Sequence, residues 1–95
     1  MELRIHIPDS IEPLERGERF ELPLIDMLEP IGGDVLGSGT HLVENKILSC
    51  DIDIEVPDER FIPQVVEILV NGRIPKGSTI SQRTGLGVWK VIREF

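Results

Sequence analysis

Alternating apolar and polar residues predict a β-hairpin in the middle of the chain. Between residues 50 and 56 the apolar side chains take the even positions, and Asp51, Asp53 and Glu55 take the odd positions. Because successive side chains of a strand point to opposite faces, this segment has one apolar face and one acidic face. Residues 35–43 are predicted to form the other strand of the hairpin.

The turn Glu44-Asn45-Lys46 sets the register of this predicted hairpin. It places Leu36 opposite Ile54 and Leu42 opposite Leu48 on the side that packs against the core. The remaining pairs lie on the other side, which we call the open face: Val35–Glu55, Gly37–Asp53, Gly39–Asp51 and His41–Ser49. A shift of one residue would bury the acids, so the apolar pattern specifies this register.

The rest of the pattern predicts three further strands and two helices. The predicted elements are a strand at residues 2–7, a helix at 23–29, the hairpin, a helix at 63–71, a strand at 78–82 and a C-terminal strand at 88–95. Residues 9–21 are predicted to be irregular, because Pro13 and Gly17 interrupt any helix there. The first strand adds Arg4 and His6 to the open face.

The order β-α-β-β-α-β predicts a ferredoxin-like, split βαβ fold of the α+β class. In this fold a four-stranded antiparallel sheet has the strand order 4-1-3-2, and both helices pack on one face. The C-terminal strand then pairs with the fourth strand as a fifth strand at the edge. Ninety-five residues suffice for one hydrophobic core, so residues 1–95 are predicted to form a single domain.

Charge and cysteine content argue against several classes of function. A net charge of −7 argues against a nucleic-acid partner, because clustered Lys and Arg bind the phosphate backbone, and it favours a basic protein partner. The single cysteine, Cys50, excludes an internal disulfide and a multi-thiolate metal site. No apolar segment approaches the roughly 20 residues of a membrane span, and no signal-peptide pattern is present. We therefore expect a cytoplasmic protein without a membrane partner.

The open face holds the candidate binding residues. They are Asp51, Asp53, Glu55, Arg4, His6, His41, Gly37 and Gly39. The two glycines either leave a shallow floor that another backbone can approach or mark a β-bulge. Imidazole and carboxylate groups are suitable ligands for zinc or manganese. Because Arg4 lies among them, we favour an ion pair from Arg4 to Asp51 or Asp53 over a metal site.

Catalytic chemistry has little support in the sequence, and we expect neither an enzyme nor a cofactor. Cys50 is predicted to face the core, where a thiol behaves as a small apolar group. Two carboxylates on a flat, solvated face lack the burial that raises a carboxyl pKa for acid–base catalysis.

Three runs of the sequence resemble a group of short, stand-alone, uncharacterised bacterial proteins. The runs are GERFELPLIDMLEPIGGDVLGSGTHL, CDIDIEVPDE and IPKGSTI. The resemblance covers most of the chain and implies a ferredoxin-like single domain. It implies no particular activity.

Two functions of different classes fit these features. The first is a non-catalytic module that binds a basic protein through the open face, as an immunity protein or an inhibitor does. The second is a regulatory domain that senses a small molecule or a metal, and it rests on analogy with other ferredoxin-like families. A homodimer formed through sheet edges is a third arrangement, since stacking two open faces would bring acids together.

Overall fold

Five β-strands form one antiparallel sheet in the computed structural model, which describes residues 1–95. The strands are β1 (Glu2–Ile7), β2 (Asp34–Val43), β3 (Lys46–Glu55), β4 (Thr79–Arg83) and β5 (Trp89–Glu94). The helices are α1 (Pro13–Arg16), α2 (Leu22–Leu28) and α3 (Ile62–Asn71), and a π-helical turn (Gly17–Glu21) joins α1 to α2. Short 3₁₀ turns lie at Glu29–Ile31 and Glu59–Phe61. None of the helices combines the length and the apolar character that a bilayer span requires.

The strands lie side by side in the order β2-β3-β1-β4-β5, and all neighbours are antiparallel. The predicted C-terminal edge strand is present as β5, which pairs only with β4. The opposite edge is β2, which pairs only with β3. The chain is therefore of the α+β class, with a sheet that has two free edges.

One face of the sheet packs against the helices and forms the hydrophobic core. The alternation predicted for β1 and β3 is confirmed, since every second residue of β1 and of the inner part of β3 is buried. The core cluster contains Leu3, Ile5, Ile7, Ile11, Phe20, Leu24, Leu28, Cys50, Ile52, Ile54, Val56, Val65, Leu69 and Ile80. The polar residues of the same strands lie on the open face, where no helix covers them.

The first helical segment (residues 13–31) begins at Pro13, so the prediction of irregular structure at residues 9–21 holds for residues 9–12 and is wrong for residues 13–21. Proline suits a first helical turn, and Gly17 adopts an ordinary helical φ of −58°. The buried residues of this segment recur at every fourth position: Arg16, Phe20, Leu24 and Leu28. A spacing of four drifts around an α-helix of 3.6 residues per turn, and the wider π-helical turn corrects that drift.

Arg16 is buried between the first helical segment and the edge strand β2. Its Nη1 donates to the carbonyl of Gly39, and its Nη2 donates to Oγ of Ser38, both over 3.4 Å. Its Nε lies 3.5 Å from Oε2 of Glu21. Arg16 thus attaches the helix to the middle of β2.

The hairpin has the predicted register in its middle. The predicted open-face pairs found there are Gly37–Asp53, Gly39–Asp51 and His41–Ser49. The turn contains two residues and not three. Glu44 and Asn45 both have positive φ, 50° and 65°, as a tight two-residue hairpin turn requires.

Two β-bulges change the register at the ends of the hairpin. Leu36 is the extra residue on β2 and Leu48 is the extra residue on β3, and both are half exposed. The predicted pairs Leu36–Ile54, Leu42–Leu48 and Val35–Glu55 are therefore wrong. The observed pairs are Val35–Ile54, Leu42–Ile47 and Asp34–Glu55. Val35 consequently belongs to the side of the core.

Candidate functional site

The eight predicted binding residues share the open face. They come from three adjacent strands: Arg4 and His6 from β1, Gly37, Gly39 and His41 from β2, and Asp51, Asp53 and Glu55 from β3. Their neighbours across the strands are fixed by the register. Arg4 lies opposite Asp53, and His6 lies opposite Asp51.

Arg4 is the centre of the arrangement. Its Nε and Nη2 donate to the two carboxylate oxygens of Asp53 over 2.8 and 3.0 Å, which is the two-pronged geometry of a strong arginine–carboxylate pair. These hydrogen bonds raise the pKa of the Arg4 guanidinium above its usual value. The guanidinium also lies 4.3 Å from the centre of the Trp89 ring. Arg4 therefore connects β3, β1 and β5. The predicted ion pair from Arg4 to an aspartate is confirmed.

The other carboxylates of the open face also have partners within the chain. His6 Nδ1 lies 2.7 Å from Asp51 Oδ1. The α-amino group of Met1 donates to Glu55 over 2.9 Å. A further acid, Glu2, accepts from Nη1 of Arg83 over 3.1 Å. Since each carboxylate faces a cation or an imidazole, the open face is a row of paired charges and not a region of excess negative charge.

The excess negative charge lies instead around the first helical segment. Residues 9–34 contain eight acidic residues and two arginines, so this part of the chain carries −6 of the total charge of −7. Glu18, Asp26 and Glu29 are exposed there. These charges would attract a basic partner over a long range, before it contacts any particular surface of the protein.

The part of the open face that belongs to β2 is a vacant floor. No atom lies within 4 Å of the position that a Cβ would take at Gly37 or Gly39. A bulge does occur here, and the bulged residue is the neighbouring Leu36. His41 lies opposite Ser49, and its side chain stands apart from the paired charges because it has no hydrogen-bond or ion-pair partner.

The structure contains no assembled site for metal or thiol chemistry. No group of three or more His, Cys, Asp or Glu side chains is arranged to hold a metal ion. Cys50 is buried on the side of the core, and its burial raises the pKa of the thiol above the usual 9.0. The grooves on the protein surface are lined by residues other than the eight of the open face.

Two residues that shape this site are not among the eight predicted ones. Trp89 completes the Arg4 stack, and Arg83 neutralises Glu2. Both depend on the pairing of β4 with β5. The alternation of residues 88–95 is too short and too mixed in character to assign a face to Trp89 before that pairing is known.

Comparison with known proteins gives no relative: no protein-family model, no curated protein and no solved structure matches this chain.

Proposed function

We propose that the protein is a non-catalytic interaction module that binds a basic protein through the open face, as an immunity protein or an enzyme inhibitor does. One observation carries the proposal. The open face is a broad sheet surface without a covering helix, and its carboxylates are already held in place by groups of the same chain.

Carboxylates that are fixed before binding lose little conformational freedom when a partner arrives, and this lowers the cost of association. The side chains of Asp51 and Glu55 remain 43% and 45% exposed. Each carboxylate has further lone pairs that can accept from a Lys or Arg of the partner. Trp89, half buried beside Arg4, supplies an aromatic anchor of the kind that contributes most binding energy at protein interfaces.

The charge around the first helical segment adds attraction at longer range. A net charge of −6 in residues 9–34 steers a basic protein toward this molecule before any contact forms. Salt shortens the range of that attraction, so association should slow as the NaCl concentration rises.

We also infer that the fold is the ferredoxin-like, split βαβ arrangement. The inference is supported by the neighbour order, which reads β5-β4-β1-β3-β2 from the C-terminal edge, and by the position of all helices on one face. In this arrangement the second face of the sheet is free for recognition.

The test compares two triple variants of equal charge. The first combines Asp51→Asn, Asp53→Asn and Glu55→Gln on the open face. The second combines Glu18→Gln, Asp26→Asn and Glu29→Gln on the exposed side of the first helical segment. Both change the net charge from −7 to −4. Each immobilised protein captures ligands from host lysate, and the main ligand is purified and titrated against all three at several NaCl concentrations.

The open-face triple is expected to lose binding, whereas the helical triple is expected to keep most of it and mainly to associate more slowly. Circular dichroism establishes that both variants are folded. Equal losses in both variants would show that the partner recognises net charge alone. Full binding by the open-face triple would refute the proposal.

A further inference from the structure

We propose that the edge strand β2 pairs with β2 of a second copy of the chain, antiparallel and about a twofold axis at Gly39, so that two sheets join into one. The first observation is the edge itself. β2 is ten residues long, pairs on one side only, and has no Asp, Glu, Lys or Arg from Val35 to Val43. A long uncharged edge is a template for another strand.

The other edge of the same sheet is protected in the usual way. β5 has six residues, and three of them are charged: Lys90, Arg93 and Glu94. Charged side chains on an edge strand discourage pairing with a further strand. The contrast indicates that β2 is the edge that another chain covers.

The residues that precede Gly39 in β2 match in character the residues that follow it, so the strand can pair with a second copy of itself. Antiparallel pairing about this residue places Ser38 opposite Thr40 and Gly37 opposite His41 of the second copy. Opposed residues must lie on the same face of a joined sheet. This condition is met, because Gly37, Gly39 and His41 belong to the open face, whereas Ser38 and Thr40 lie opposite the buried Ile52 and Cys50.

The bulge at Leu36 extends the match to the ends of the strand. Beyond the extra residue the pairing moves by one position, so Val35 meets Leu42 of the second copy and Asp34 meets Val43. Val35 and Leu42 both belong to the side of the core, since they pair with Ile54 and Ile47 in their own sheet. This register also keeps Asp34 away from Glu44 of the second copy, so like charges do not oppose each other.

Pairing would also cover apolar surface that is now exposed. Leu36 is 51% exposed and Leu42 is 56% exposed. Beside Val35 runs a groove of about 360 Å³, which Leu14, Leu22 and Ile25 help to line. Leu42 of the second copy would lie at the mouth of this groove, and the twofold axis repeats the contact on the other side.

The charge of the molecule gives this dimer a distinct salt dependence. Each copy brings a net charge of −6 in residues 9–34 near the joined edges, and these charges repel each other. Added salt screens the repulsion, so the dimer should tighten with NaCl. The proposed basic partner should instead bind more weakly as the NaCl concentration rises. Because salt acts in opposite directions on the dimer and on partner binding, failure of one proposal can be distinguished from failure of the other.

The test uses charge reversal at the twofold axis. Gly39→Lys and Gly39→Glu each place like charges opposite each other in the dimer, whereas a mixture of the two variants places opposite charges there. At Gly39 the Cβ of either substitution would meet no atom within 4 Å in the single chain. Gly85→Lys is the control, since Gly85 has equally free space and lies in the turn between β4 and β5.

Sedimentation equilibrium is measured on the full chain across micromolar concentrations. The native chain and Gly85→Lys are expected to dimerise, from 10.7 kDa to twice that mass. Each Gly39 variant alone is expected to dimerise at least about tenfold more weakly, and an equimolar mixture is expected to recover the dimer. A monomeric native chain, an unaffected Gly39→Lys variant or a mixture that stays monomeric would each overturn the proposal.

Discussion

At the residue scale, Pro23 sets the path of the first helical segment. Proline has no N–H to donate to the carbonyl of Arg19, four residues earlier, and the helix widens into its π-helical turn just before it. The carbonyl of Arg19 then lies against Gly72 at the end of α3, only 2.6 Å from where a Cβ would be. Arg19 completes the junction by donating to the carbonyls of Gly72 and Arg73.

Gly72→Ala is therefore expected to lower the free energy of unfolding by about 1–3 kcal/mol, the range typical of overpacking. The new methyl group would meet the Arg19 carbonyl and the Phe20 ring. Gly37→Ala is the matched control, because its Cβ enters open space. Urea denaturation measures both. If the two variants unfold at the same urea concentration, the junction of the helices does not depend on close approach at Gly72.

At the scale of elements, the sequence predicted the strands well because their pattern is local. Alternation in β1 and β3 identified the buried faces, and the cross-strand position of Arg4 identified its ion pair. The first helix was missed because Pro13 and Gly17 were taken as interruptions, whereas Pro13 begins a helix and Gly17 continues it. The hairpin ends were missed because Leu36 and Leu48 are as apolar as their neighbours, so alternation cannot reveal a bulge.

Arg4 makes the stability of the edge strand β5 depend on β1 and β3. Arg4→Met is expected to lower the free energy of unfolding by about 1 kcal/mol, because it removes a partly exposed ion pair and a cation–π contact. It is also expected to shift the fluorescence of Trp89, the single tryptophan. Arg60→Met serves as the control, since Arg60 pairs with Asp58 within one turn. Unchanged Trp89 emission in Arg4→Met would show that the stack contributes nothing in solution.

At the scale of the whole molecule, charge is distributed unevenly between the two sides of the sheet. The open face pairs its acids, whereas residues 9–34 hold nearly all the excess. The order of residues locates the excess in residues 9–34, but it could not predict that the acids of the open face are paired, because the pairing of Glu55 with Met1 and of Glu2 with Arg83 depends on the tertiary fold.

The two triple variants should therefore have opposite effects on stability. At low salt the helical triple is expected to raise the free energy of unfolding by up to about 1 kcal/mol, since it relieves repulsion among like charges. The open-face triple is expected to lower it, since it breaks ion pairs. Urea denaturation at low and high NaCl measures both, and the gain of the helical triple should shrink with salt. A shift of the same sign in both variants would contradict the uneven distribution.

Because the space above Gly37 and Gly39 is vacant, substitutions there can change binding without changing the fold. A Cβ added at either position meets no atom within 4 Å. Natural or engineered substitutions at these positions could therefore change which partner the surface prefers while the fold stays intact. In evolutionary terms, Gly37 is a position where a new specificity could be acquired without loss of the fold, whereas a charged residue at Gly39 would also break the proposed dimer.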